Sequence, residues 1–146
     1  MPKLRTFMLF KQFDQAPTFI FKPLTFLQKK NLAKLRLGSL ELKIETGRFS
    51  RPCLDVNERI CLPCLESSKE RGLGPYVEDE CHFLFVCSTY EALRDIWYSR
   101  LVIPYNFRVL SDGEKLKIVL NEADNVKVTA QFITDAFTLR SKIVYK

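Results

Sequence analysis

Residues 77–87 read VEDECHFLFVC, and they hold the single histidine of the 146-residue chain, His82, with two of its five cysteines, Cys81 and Cys87. The spacing from His82 to Cys87, H-x4-C, is that of a zinc half-site in which a turn of helix brings two ligands to one edge of an ion. Upstream, CLPC at 61–64 supplies Cys61-x2-Cys64, the spacing at which two thiolates on a tight turn reach one tetrahedral metal. Together Cys61, Cys64, His82 and Cys87 predict a Cys3His site for one structural zinc. Four protein ligands leave no open position for water, so the metal has no catalytic role in this reading. Three thiolates on a divalent ion carry one net negative charge, which backbone N–H groups or a basic side chain such as Arg59 would offset.

The alternatives are weaker. Reduced cysteines packed in a core beside a hydrogen-bonded histidine would explain a lone CxxC, but less well a CxxC joined to an HxxxxC across a Gly- and Pro-rich loop. Cys81 could replace His82 as ligand. Adjacent helical residues point about 100° apart, so only one of the two suits the metal, and His82 is chosen. A nucleophilic Cys–His pair lacks an orienting partner and an oxyanion hole in the pattern, and a redox dithiol lacks the strand–helix setting. Glu78, Asp79 and Glu80 read as dipole partners of a helix's first turn rather than as a second metal site. GLGP at 72–75 has neither the lysine nor the helix of a phosphate loop, and there is no paired DD of the polymerase kind.

Away from this block, 47% hydrophobic residues and twelve phenylalanines argue for a folded chain. No apolar run approaches the ~20 residues that span a bilayer, and FMLF at 7–10 is too short for a signal peptide's core. These features predict an intracellular protein, nuclear or cytoplasmic and not secreted, with thiols rather than disulfides. Charge is uneven. Residues 1–52 carry 11 Lys and Arg against 3 Asp and Glu, whereas residues 53–100 carry 5 against 9. A basic first third of this kind attracts polyanions, nucleic acid above all, although a solvated basic face gives the same count.

The pattern predicts a mainly α fold, a small helical domain with a zinc-pinned irregular loop. Residues 1–23 read as an irregular lead-in and 24–146 as one helical zinc-binding domain with its metal region at 53–90. Leu24, Leu27, Leu32 and Leu35 mark a helix from Leu24 to about Leu37 with Lys29, Lys30, Lys34 and Arg36 towards solvent. LELKIE (40–45) reads as its continuation, and TGRFSRP (46–52) as a turn. Residues 53–76 form a loop whose length needs something to tie it down. Ser88 reads as the cap of a second helix carrying Tyr90, Leu93, Trp97 and Leu101, which Pro104 ends. Ser111 and Glu114 form a capping box for a third, and Ala130, Ile133, Phe137 and Ile143 or Val144 mark a fourth.

In order, AKLRLGSLELKIETGRFSRP (33–52), NERICLPC (57–64), VEDECHFLFVCSTYEALRDIW (77–97), FRVLSDGEKLKIVLNE (107–122) and AQFITDAFTLRSK (130–142) resemble the C-terminal tail of non-LTR retrotransposon reverse transcriptases, where a helical, zinc-knuckle-like region follows the polymerase. The resemblance covers about residues 30–142. It places the family's metal positions on Cys61, Cys64, His82 and Cys87 and its basic turn on Arg48, and makes Cys81 a bystander. Ser88 stands where proline is common in that family. The resemblance implies a module that handles template RNA or target DNA. With neither palm nor endonuclease motifs here, the expectation is a truncated remnant or stand-alone fragment, not an enzyme. Phosphates would meet Lys29, Lys30, Lys34, Arg36, Lys43, Arg48 and Arg51, and Phe49 would stack on unpaired bases unless it belongs to the core. No membrane and no small-molecule substrate enter this reading. The alternative is a structural or protein-interaction zinc domain without nucleic-acid binding.

Overall fold

A computed structural model describes residues 22–65, 76–122 and 124–144. The expected lead-in falls outside these residues but for Lys22 and Pro23, as does part of the expected loop, 66–75. The described chain is mainly helical: α1 (Phe26–Leu37), α2 (Lys43–Thr46), α3 (Glu91–Arg100), α4 (Asp112–Asn121) and α5 (Val126–Val144), with single turns between them. Among the described residues there is no strand, only an antiparallel bridge pairing Ile60 with Val77. No described helix is long and apolar enough to cross a membrane.

Helix α1 starts at a capping box in which Thr25 and Gln28 bond each other's backbone N–H, and it stops at Gly38. There φ is +68°, which only glycine adopts without strain, and its N–H closes back on Leu35 and Lys34. LELKIE therefore does not continue the helix. The chain bends after Gly38 and re-enters helix for one turn, α2, with Leu40, Leu42 and Ile44 all buried. On α1 itself Leu32 and Leu35 are buried, but Leu27 is half exposed.

Helix α5 is the spine, packing against α1, α3 and α4. Its Ala130, Ile133 and Ala136 are fully buried, while Ile143, expected on the inner face, is exposed. Trp97 of α3 stacks on Phe132 with centroids 4.3 Å apart and planes 12° apart. Its indole N–H donates to Thr129 Oγ1 (3.3 Å), and that hydroxyl donates to the Val119 carbonyl (2.9 Å), so one polar chain links α3, α5 and α4. Buried Asn125, in the turn before α5, donates to the carbonyls of Val102 and Ile118 and accepts from Val102 N–H. Each polar group so buried keeps a partner, without which it would cost about 1–3 kcal/mol. The Ser111–Glu114 capping box opens α4 as expected. Ser88 caps nothing. It begins a 3-10 turn, Ser88–Tyr90, and α3 follows at Glu91.

Candidate metal centre

The loop and the helical block meet at Phe83, whose ring lies 5.0 Å from Tyr90, 6.1 Å from Phe132 and 5.2 Å from Phe137. Anchored by it, the chain from His82 to Val86 forms a single π-helical turn, closed by a 2.7 Å bond from Cys87 N–H to the His82 carbonyl. This turn explains the H-x4-C spacing. In an α-helix residues five apart point roughly 140° away from each other. A π turn, with its i→i+5 bond, stacks them on one side, and such turns recur at functional sites.

The opposing pair comes from Cys61, beside the Ile60–Val77 bridge, and Cys64, in the helical turn that follows. Cys61 N–H donates to the Tyr76 carbonyl at 2.8 Å, which fixes the loop's two arms together. All four side chains are buried, and their ligand atoms lie within 4.8 Å of one another. Cys61 Sγ is 3.8 Å from Cys87 Sγ, Cys64 Sγ is 3.2 Å from Cys87 Sγ, and Cys64 Sγ is 3.5 Å from His82 Nε2. A tetrahedral ion with metal–sulfur bonds of about 2.3 Å has S···S edges of about 3.8 Å. The Cys61–Cys87 contact fits such an edge, the Cys64–His82 contact fits the shorter sulfur–nitrogen edge of about 3.6 Å, and the Cys64–Cys87 pair has to open by roughly 0.6 Å. The four predicted ligands thus come together as a buried group that can hold one metal ion.

Cys81 is not among them. It lies half buried on another side of the turn, within reach of Asp112, and burial together with that acid pushes its thiol well up. Cys53 is exposed and not part of the group, and none of the five cysteines is in a disulfide. Among the four ligands the Cys61 thiol holds the Cys87 thiolate, with help from His82, Thr89 and Cys64, and brings its pKa down to about 3. The same contact, with burial, pushes Cys61 up, while burial leads the upward shift of Cys64.

The surroundings assign roles that the sequence pattern did not. The counter-charge is Arg94, not Arg59. Buried on α3, Arg94 donates through Nε to the Leu84 carbonyl and through a terminal nitrogen to the Cys87 carbonyl, both at 2.8 Å, so it closes the open end of the π turn beside the sulfurs. Its signal was a charge on an apolar stripe: Tyr90, Arg94, Trp97 and Leu101 share one face. Arg59 turns the other way, donating to the carbonyls of Leu54 and Ile44. Its side chain crosses Gly47 so closely that a Cβ there would sit 2.7 Å from Arg59 Cγ, which accounts for the glycine of TGR.

The three acids divide their work. Asp79 accepts from His82 N–H at 2.8 Å, as a helix-capping acid does. Glu78 is more than a dipole partner: it is buried, and one carboxylate oxygen accepts from Arg140 of α5 (2.6 Å) and from Lys43 N–H of α2 (2.9 Å). His82 stacks on Tyr76, centroids 5.1 Å apart, and its Nδ1 has no hydrogen-bond partner among the described residues.

The seven basic residues do not form one surface. Arg36 is buried and donates to Asn121 Oδ1 at 3.0 Å, so it serves packing rather than solvent. Lys30 and Arg51 are exposed, Lys29, Lys34, Lys43 and Arg48 half so. Lys34 pairs with Glu41 and Arg48 with Glu45. Phe49 is not in the core: it is 75% exposed, with the Arg48 guanidinium 6.0 Å from its ring centre. No protein-family description, no curated protein and no solved structure matches the chain.

Proposed function

We propose that this chain is a non-catalytic nucleic-acid-binding module stabilised by one zinc ion, of the kind seen in the C-terminal region of non-LTR retrotransposon reverse transcriptases. Three thiolates and an imidazole form a donor set suited to zinc, and four protein ligands hold it without an open site, so it shapes the fold and performs no reaction. The observation that carries the nucleic-acid reading is Phe49. A phenylalanine left 75% exposed between Arg48 and the exposed Arg51 is a stacking platform flanked by phosphate-binding cations, the combination by which single strands are held. Lys30 and Lys34 extend the positive charge along α1.

A second reading, a protein-interaction domain, draws on the exposed Val102, Tyr105 and Val109 around the 3-10 turn Phe107–Val109. Two measurements test the proposal. Metal analysis of the reduced protein is expected to find one zinc per chain, lost in Cys64→Ser together with the fold around it, because binding energy of this kind is folding energy. Titration with single-stranded RNA and DNA at two salt concentrations is expected to give affinity that falls with salt. Stoichiometric zinc in the variant would refute the metal assignment. Absent or salt-insensitive binding would refute the nucleic-acid one.

A further inference from the structure

Between α1 and α5 runs an open cleft of about 330 Å³, of which the reading above uses only the two lysines on its edge. That volume is at the small end of ligand clefts, about 300–1,000 Å³. Its floor is apolar, made by Leu27, Leu40 and Phe137. One rim carries Lys30 and Lys34, one turn apart on α1. Among the described residues Lys30 has no ion pair, while Lys34 is held at 3.5 Å from Glu41, which lines the same side, so Lys30 is the cation left open to an anion. The other rim carries Thr134, Thr138 and Ser141, a hydroxyl row on one face of α5.

The polarity of that row is fixed by its hydrogen bonds. Thr134 donates its hydroxyl proton to the Ala130 carbonyl (3.0 Å), Thr138 to Thr134 (2.9 Å) and Ser141 to Thr138 (2.8 Å). Each hydroxyl has one proton and two lone pairs, so the row meets a ligand as an acceptor. At Thr134 one lone pair already takes the Asn31 amide at 3.5 Å. The cleft thus sets donors for an anion on one side, acceptors for a hydroxyl on the other and an apolar floor between. A ribonucleotide has the matching parts: a phosphate, a 2′-hydroxyl that can donate, and a flat base.

We infer that the cleft between α1 and α5 seats one unstacked ribonucleotide of a bound single strand, its phosphate at Lys30 and Lys34 and its 2′-hydroxyl on the Thr138–Ser141 rim. The inference rests on the nucleic-acid reading above and adds to it a subsite and a preference for RNA over DNA, since the 2′-hydroxyl is what lets a protein tell them apart.

The test titrates the metal-loaded full chain with labelled oligo(U) and oligo(dU), which share a base and differ at the 2′ position. The wild type is expected to bind oligo(U) more tightly by about 2- to 10-fold, the worth of one such hydrogen bond. Thr138→Val, or Ser141→Ala as the second variant, is expected to abolish that ratio while leaving oligo(dU) affinity in place. Lys30→Gln is expected to weaken both strands alike and to lower the salt slope by about 1. Metal content and helicity confirm that each variant is folded. If the wild type binds strands but shows no ratio, or keeps it in both hydroxyl variants, the cleft assignment is wrong and the nucleic-acid reading stands. Binding to neither strand overturns both. Binding of free uridine monophosphate in the cleft without strand binding makes it a small-molecule site and overturns the inference as well.

Discussion

The guanidinium of Arg94 donates to the carbonyl of Cys87 at 2.8 Å and, with its Nε, to that of Leu84 at the same distance. One buried side chain thereby fixes the last turn before a ligand and sets a positive charge near the Cys87 sulfur. Outer partners of this kind are worth about 10–100-fold in metal affinity. Arg94→Met is expected to lose metal to a competing chelator at a correspondingly lower concentration. Arg94→Lys should not restore it, because an ammonium lacks the fork that reaches both carbonyls.

Phe83 has a different weight from Phe49. The first is 1% exposed and touches three aromatic rings, and the second is 75% exposed. Phe83→Ala is expected to cost about 3–5 kcal/mol in denaturant unfolding of the metal-loaded protein. Phe49→Ala is expected to stay within about 0.5 kcal/mol and to lower single-strand affinity instead.

The Glu78–Arg140 pair is almost dry, with side chains 2% and 6% exposed. Removing one partner of such a pair strands the other charge, and Arg140→Met is expected to destabilise by about 3–5 kcal/mol. Glu78→Gln combined with Arg140→Met is expected to cost less than the sum of the single changes, since no charge is left buried. A double-mutant cycle by denaturant unfolding reads the difference.

Metal binding carries a pH dependence whose sign follows from the cluster. Without metal, Cys87 is the thiolate, brought down to about 3 mainly by the Cys61 thiol, while Cys61 and Cys64 are pushed up and keep their protons. Loading the site must release those two protons, so affinity rises with pH and falls as pH drops. With two protons released, the fall is roughly a hundredfold per pH unit from neutral pH up to the raised thiols. Chelator competition at two pH values, with proton release measured in weak buffer, checks both the direction and the count.

The buried group of Cys61, Cys64, His82 and Cys87 was legible because spacing is chemistry: CxxC and HxxxxC need no knowledge of the rest of the chain. The Ser111–Glu114 box and most of α1 were legible because capping and helix propensity are local. The end near Leu37 was legible, but LELKIE was read as a continuation because a lone strand there had nothing to pair with, although a left-handed glycine at Gly38 stops a helix whatever follows. Arg36 and Glu78 were misjudged, and Arg94 was left unread, for one reason. A charged residue reads as surface until its partner is known, and the partners here lie 85, 62 and 7 residues away. Phe49 is the converse, an aromatic that pattern favours for the core and the structure leaves exposed.

The Glu78 carboxylate joins the arm of the metal loop to α2 and to the last turns of α5 through one oxygen. A chain tied in this way does not open piecemeal. Detaching α5 would strand a buried anion next to the sulfurs, and loosening the loop would strand a buried cation on α5. The two halves are therefore expected to unfold as a single cooperative unit. Trp97, stacked on Phe132 within the helical half, would then be an optical reporter of any ion held by the four-residue group, without touching it.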